Sequence, residues 1–481
     1  MRCATASRRG GLGRPGVLLG AALMLGLPLA AQSPAPNSGG ASTVEVRGRN
    51  AFSMPLATLS EAERTRFAVG NSFFRRNWVE APASTTGRDG LGPHFLARSC
   101  GGCHVQDGRG APHDFDKGLA PDNVSADAAL LLRLSVPGRG PHGEPLPEPT
   151  YGDQLHTAAV QGVAPEGRLL LRYSELKGHF DDGTPYSLLK PHYSVTDLAY
   201  GALAEHSLQS PRIAPQLAGV GLLEAIPESA LRENLARQAA TPGPIKGQLN
   251  RVWDPFAQAM VVGRLGWKAN AGSLAHQTAA AFHGDVGITS RHFPKETCSA
   301  RQQDCLAAPS GAQGKAPEID DATLGDVVFY QAALAPAAWR SPRDAQVLRG
   351  QRLFEQTQCA QCHRPSYVTA TPPFPRLSPR SVAGQRIWPY TDLLLHDMGE
   401  GLADGRPDHL ATGRQWRTPP LWGIGLVKEV NGHQRLLHDG RARGVLEAVL
   451  WHGGEAEEAR RRVQAMNAAE REALVRFVES L

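Results

Sequence analysis

Two pentapeptides constrain this chain more than any other feature of its 481 residues: Cys100-Gly101-Gly102-Cys103-His104 and Cys359-Ala360-Gln361-Cys362-His363. Both read Cys-x-x-Cys-His, the attachment pattern for c-type haem. Two thiols must add to two vinyl groups on one porphyrin edge, and two intervening residues set that separation. The adjacent histidine then reaches under the ring and ligates iron from the proximal side. With 7 Cys and 17 His in 481 residues, chance supplies about 0.004 such pentapeptides. A zinc site of four cysteines would need the two pairs much closer than the 255 residues that separate them. A redox dithiol needs neither the trailing histidine nor a second copy. The expectation is two covalently bound haems with iron, attached through Cys100, Cys103, Cys359 and Cys362 and ligated by His104 and His363.

The N-terminus agrees with that chemistry. Residues 1–31 have a basic start ending at Arg14, an apolar run from Val17 to Leu29 and a small-residue site at Ala30-Ala31. This is the order of a secretory signal peptide, and the run is too short to span a bilayer. The expectation is a soluble protein, periplasmic or otherwise exported, with no stable membrane span. Four of the 51 basic residues and none of the 46 acidic ones lie in that segment, so cleavage lowers the net charge from +5 to +1. A nearly neutral chain has no electrostatic drive toward nucleic acid. In an exported protein the remaining pair, Cys298 and Cys305, reads as a short loop-closing disulfide.

Residues 32–59 read as a flexible linker. Ser60-Glu61-Ala62-Glu63 is a capping box that opens a helix carrying Phe67, Gly70, Phe73 and Phe74. A related pattern, Gly350, Leu353 and Phe354, precedes the second pentapeptide, so a helix leads into each haem site. Asp320–Ala337 and Asn467–Leu481 carry apolar stripes and read as terminal helices that would cross the entry helices. Residues 105–160 are rich in Gly, Pro and His, with little sign of regular structure. The reading is a mainly α chain of two cytochrome c-like domains, 60–340 and 341–481, the first with a large loop-rich insertion at about 105–260.

Beyond the pentapeptides, three segments carry a resemblance: Tyr390-Thr-Asp-Leu-Leu-Leu-His396-Asp-Met398-Gly399, Trp416-Arg-Thr-Pro419-Pro-Leu-Trp422-Gly and His438-Asp-Gly-Arg441-Ala. With them the chain resembles the bacterial di-haem cytochrome c peroxidase superfamily. Gly221-Leu-Leu-Glu-Ala-Ile-Pro227, Gly263-Arg-Leu-Gly-Trp267-Lys-Ala and Trp451-His-Gly-Gly-Glu-Ala456 make it most similar to the di-haem oxidoreductases described as peroxidases or thiol oxidoreductases. The resemblance implies one haem for electron entry and one for chemistry. It implies Trp267 as a bridge between haems, Gln277 as a distal polar group and Asp285 as the distal acid. The superfamily's Asp-Gly-Arg after the tryptophan is replaced here by Lys268-Ala269-Asn270, and its distal glutamate by an aspartate at a different offset.

Where the peroxidases place a methionine ligand, this chain has Gln415. Met398, His396, His433, His438 and His452 remain as candidates for the second face of the C-terminal haem. His452 is favoured, because flanking glycines would let backbone approach the porphyrin, and Met398 comes next. For the N-terminal haem, His113, His142, His276, His283 and His292 are all possible and none stands out, so that site reads as open. The implied activity is a peroxidase-like oxidoreductase acting on peroxide or another small-molecule oxidant, fed by a small redox protein or a quinol-linked donor. Two further readings stay open: a non-catalytic electron carrier, and oxygenase chemistry like that of the related rubber-cleaving di-haem proteins. Chain length favours an enzyme, because two cytochrome domains need only about 100 residues each.

Overall fold

Ser60 starts the first long helix, Glu61–Arg75, for a local reason. Its hydroxyl accepts from the Glu63 amide while the Glu63 carboxylate accepts from the Ser60 amide, so two amides that a helix start leaves open are satisfied reciprocally. Asn467 and Glu470 repeat the device at the start of the last helix, Ala468–Ser480. Asp320 caps Asp321–Ala332 and Asp344 caps Ala345–Gln356. A computed structural model describes residues 37–113, 124–126, 128–312 and 316–481; the export signal read at 1–31 lies outside them. Among the described residues no helix is long and apolar enough to cross a membrane.

These four helices form two crossings of the same design. Glu61–Arg75 packs on Asp321–Ala332, and Ala345–Gln356 packs on Ala468–Ser480. Each crossing has a glycine at its closest point. A Cβ at Gly70 would collide with the Asp326 carbonyl, and one at Gly350 with the Ala473 carbonyl, so only glycine lets the backbones approach this far. Four residues on, Phe74 packs on Tyr330 at 5.2 Å and Phe354 on Phe477 at 5.3 Å. Each of these phenylalanines also lies 6.3 Å from a pentapeptide histidine, Phe74 from His104 and Phe354 from His363. The crossing is therefore what positions the histidine.

The chain is not mainly α. Among the described residues 31% are helix and 19% strand, the strands falling in several small sheets. The difference lies in the insertion read as loop-rich. Strand Leu130–Arg139 pairs antiparallel with Leu208–Ile213, Leu130 opposite Ile213 and Ser135 opposite Leu208. Arg168–His179 and Pro185–Thr196 form a long hairpin, Arg168 opposite Thr196 and His179 opposite Pro185. The inward residues keep a period of two: Leu130, Leu132 and Leu134 on one strand, Leu169 and Leu171 on another, all buried. Gly and Pro obscure that alternation in the sequence. Pro137, for example, falls where the register shifts between Val136 and Arg139, a position a strand tolerates.

A second correction concerns the linker. From residue 37 onward the segment read as flexible is fixed to the body. Val44 bridges Ala337, Pro55 bridges Leu334, and Ala51, Phe52 and Leu56 are fully buried. Its apolar residues are too few to show a period, yet each of these three fills a place in the core. Cys298 and Cys305 are joined as a disulfide, Cα atoms 5.7 Å apart.

The glycine crossings are directly testable. Gly350→Ala is expected to destabilise the fold by about 1–3 kcal/mol, as overpacking does, lowering the thermal midpoint followed by circular dichroism. An unchanged midpoint would show that the helices do not depend on this contact.

Candidate functional site

Helix Ala345–Gln356 delivers the chain to a tight turn at Cys359–Gln361, where the His363 amide donates to the Cys359 carbonyl at 2.9 Å. Cys359 and Cys362 are half-buried and line a cleft together with His363. The His363 Nδ1–H donates to the Tyr390 carbonyl at 2.9 Å. A carbonyl can only accept, so Nδ1 carries the proton and neutral Nε2 keeps its lone pair. Burial holds this imidazole neutral, pushing its pKa down to about 4.

His452 lines the same cleft, just past helix Val445–Leu450. Its Nδ1–H donates to the Ala448 carbonyl at 2.6 Å, so it too presents a bare Nε2. Met398 lines the cleft as well. The glycines after His452 have a packing role within the protein. A Cβ on Gly453 or Gly454 would press on the Asp397–Gly399 turn, so they let the His452 loop lie against the Met398 loop. His396 has both nitrogens engaged, Nε2 with Asp392 at 2.9 Å and Nδ1 with Glu455 at 2.7 Å. Asp392 raises its pKa well above the ordinary value against the opposing effect of burial, and a ring so engaged is a poor ligand. His438 lies flat on Trp416 at 3.8 Å, and His433 Nε2–H donates to the Arg109 carbonyl at 3.1 Å.

The N-terminal cleft begins in the same way. Cys100–Cys103 forms one helical turn, and the His104 Nδ1–H donates to the Pro215 carbonyl at 2.9 Å. Burial pushes the Cys100 thiol up to about 12, with the charge of Asp285 reinforcing it. Trp267, Gln277 and Asp285 all line this cleft, but among the described residues no histidine other than His104 and no methionine does. The five other candidates lie elsewhere. His142 stacks on Trp253 at 4.1 Å and His292 on Phe256 at 3.6 Å. His283 is bonded to the Lys295 carbonyl, and neither His276 nor His113 is a lining residue.

Asp285 sits in a wide turn, Phe282–Val286, that follows helix Leu274–Ala281, the helix carrying Gln277. Its carbonyl accepts from the Leu96 and Ala97 amides, just before Cys100. Gly92 and Gly287 face each other so closely that a Cβ on either would strike the other's backbone. Asp285 is thus tied by backbone to the segment that leads into Cys100. Its side chain is a quarter exposed, accepts from Gln154 Nε2 at 3.0 Å and lies 3.9 Å from Arg133.

Behind the turn lies a buried network that the sequence did not reveal. Gln154 Nε2 and His156 Nε2 both donate to the Gly284 carbonyl, at 3.0 and 2.8 Å. His156 Nδ1 meets Glu166 at 3.0 Å, and Glu166 also lies 3.6 Å from His94. Burial favours neutral His156, but the Glu166 carboxylate outweighs it and raises the pKa. Gln154, His156 and Glu166 belong to the insertion, far upstream of Asp285 in the chain.

Trp267, Arg109, Arg417 and Pro419 line both clefts and so form the wall between them. Trp267 is held by its indole N–H, which donates to the Ile213 carbonyl at 2.8 Å, and by its own carbonyl, which accepts from the Arg417 amide. The Arg109 guanidinium lies 5.4 Å from its ring. Lys268, which departs from the superfamily pattern, is fully buried, with Nζ 2.7 Å from Asp404 and over the Trp416 ring. Burial pushes its pKa down to about 8 against the pull of Asp404.

Both clefts suit a flat apolar cofactor held by thioethers. Each combines a cysteine pair, largely apolar walls and a proximal imidazole fixed through Nδ1. The family model described as "Di-haem oxidoreductase, putative peroxidase" matches residues 33–481, nearly the whole chain. No curated protein and no solved structure gives a significant match. The clefts and the extent of that match agree, and the chain belongs to the di-haem oxidoreductase family.

Proposed function

We infer that this oxidoreductase takes electrons in at the C-terminal cleft and uses them on peroxide, or another small oxidant, at the N-terminal one. The observation that carries the reading is the asymmetry of the two clefts. The C-terminal cleft holds two histidines with bare Nε2 atoms, His363 and His452. The N-terminal cleft holds one, His104, and offers Asp285 and Gln277 in place of a second. The haems, when bound through the cysteine pairs, supply the redox equivalents and the iron on which an oxidant is activated.

The chain's own residues then divide the work. Reducing peroxide to two waters takes two electrons and two protons. Splitting the O–O bond heterolytically requires a proton to move from one peroxide oxygen to the other. Asp285 is placed to accept it on a carboxylate oxygen and return it, because Gln154 and the Leu96–Ala97 amides keep it at the cleft. Gln277 supplies a polar amide beside it. Trp267 fills the wall between the clefts with an oxidisable ring. His452, or Met398 in its place, would hold the C-terminal haem together with His363. The domain division 60–340 and 341–481, covalent attachment, export with cleavage near residue 31, and a small redox protein or quinol-linked donor complete this reading.

Asp285→Asn preserves shape and removes the proton acceptor. It is expected to lower peroxide turnover by roughly 10²-fold or more while both haems stay attached and reducible. Trp267→Phe should slow electron passage between the haems and leave oxidant binding intact. In stopped-flow spectra the first variant should stall after oxidant binding and the second before re-reduction of the N-terminal haem. Wild-type protein that shows no peroxide-dependent oxidation with any donor would overturn the reading.

A further inference from the structure

Five arginines line the two clefts: Arg109, Arg133, Arg212, Arg417 and Arg460. Three of them have an acid for a partner. Arg133 pairs with Asp153 at 3.1 Å, Arg212 with Asp408 at 3.0 Å and Arg460 with Glu457 at 2.5 Å. Arg109 and Arg417 differ. Both are buried, at 3% and 7% exposure. Among the described residues, no carboxylate lies within 4.0 Å of either.

Their partners are neutral. Arg109 donates from Nε to Gln216 and from Nη1 to the Leu437 carbonyl. Arg417 donates from Nε to the Gly266 carbonyl and from Nη1 to the Thr418 carbonyl. In each, Nη2 has no hydrogen-bond partner among the described residues. The two cations also repel each other: burial pushes Arg109 down to about 10, and the charge of Arg417 adds to that. The charge of Asp392, farther than 4.0 Å away, partly offsets the cost of burying Arg417, but no carboxylate contacts either guanidinium, and two like charges buried near each other without a contacting counter-ion are costly unless an anion belongs there. Among the described residues no aspartate or glutamate lines the C-terminal cleft, and only Asp285 lines the N-terminal one.

We propose that Arg109 and Arg417 bind the carboxylates that the porphyrins themselves carry, and that, because both residues line both clefts, they act as counter-ions shared by the two haems. This rests on the two-haem reading above. An arginine fork suits such a carboxylate, since it offers two N–H groups in the carboxylate plane. A shared cation also ties the two redox sites together electrostatically, because its charge bears on the iron of both.

The test is spectroelectrochemical titration of the matured protein, after pyridine haemochrome has established two haems in the wild type. Fewer than two would defeat the two-haem reading itself. A nearby positive charge disfavours ferric iron, so Arg109→Leu and Arg417→Leu are each expected to lower both midpoint potentials. Arg109→Lys and Arg417→Lys should restore most of the shift. If a leucine variant fails to mature, the glutamine variant, neutral but still hydrogen-bonding, carries the same comparison. With two haems bound, unchanged potentials overturn the assignment. A shift confined to one haem overturns the sharing, and failure of lysine to restore it overturns the role of charge.

Discussion

Three backbone carbonyls govern what this chain can do. Those of Pro215, Tyr390 and Ala448 each accept the Nδ1–H of a cleft histidine: His104, His363 and His452. A hydrogen bond to a carbonyl fixes both the tautomer and the tilt of the ring, and leaves Nε2 as a lone pair aimed away from the backbone. Iron needs that lone pair. The number of such rings differs between the clefts, two in one and one in the other, and on that difference rests the division we propose between an electron-entry site and a reaction site.

The carbonyls are in place because of how the chain packs. Two helix crossings, closed at Gly70 and Gly350, carry Phe74 and Phe354 against the proximal histidines. The second element is the insertion. It places Gln154, His156 and Glu166 behind the turn that bears Asp285. A carboxylate on a free loop would sample many positions; here backbone and side-chain bonds from two directions hold it beside the cysteine pair. The extra length therefore supports the site from behind as well as covering it. The wall between the clefts adds Trp267 and two buried arginines, so the sites share both a ring and a charge.

What was legible in the sequence was local. The pentapeptides, the capping box at Ser60 and the Gly-Phe spacing before each pentapeptide depend on neighbours within a few residues. The chemistry of each is visible in that window. Trp267, Gln277 and Asp285 were assigned by resemblance, and the fold brings all three to one cleft. The strands were missed because Leu130, Leu132 and Leu134 alternate inside a stretch punctuated by Gly and Pro. Residues 37–59 were missed because single buried residues such as Phe52 carry no period. Glu166 and His156 meet only through tertiary structure. Arg109 and Arg417 were invisible for another reason: what marks them is the absence of an acid nearby, and a sequence does not show absences in space.

Electron paramagnetic resonance of the fully oxidised protein tests the asymmetry most directly. The account predicts one low-spin ferric haem with two nitrogen axial ligands and one high-spin ferric haem. It also predicts that His452→Ala converts the low-spin signal into a second high-spin one. Two low-spin haems in the wild type would contradict it, because both irons would then be closed by the protein and neither cleft would be free to take an oxidant.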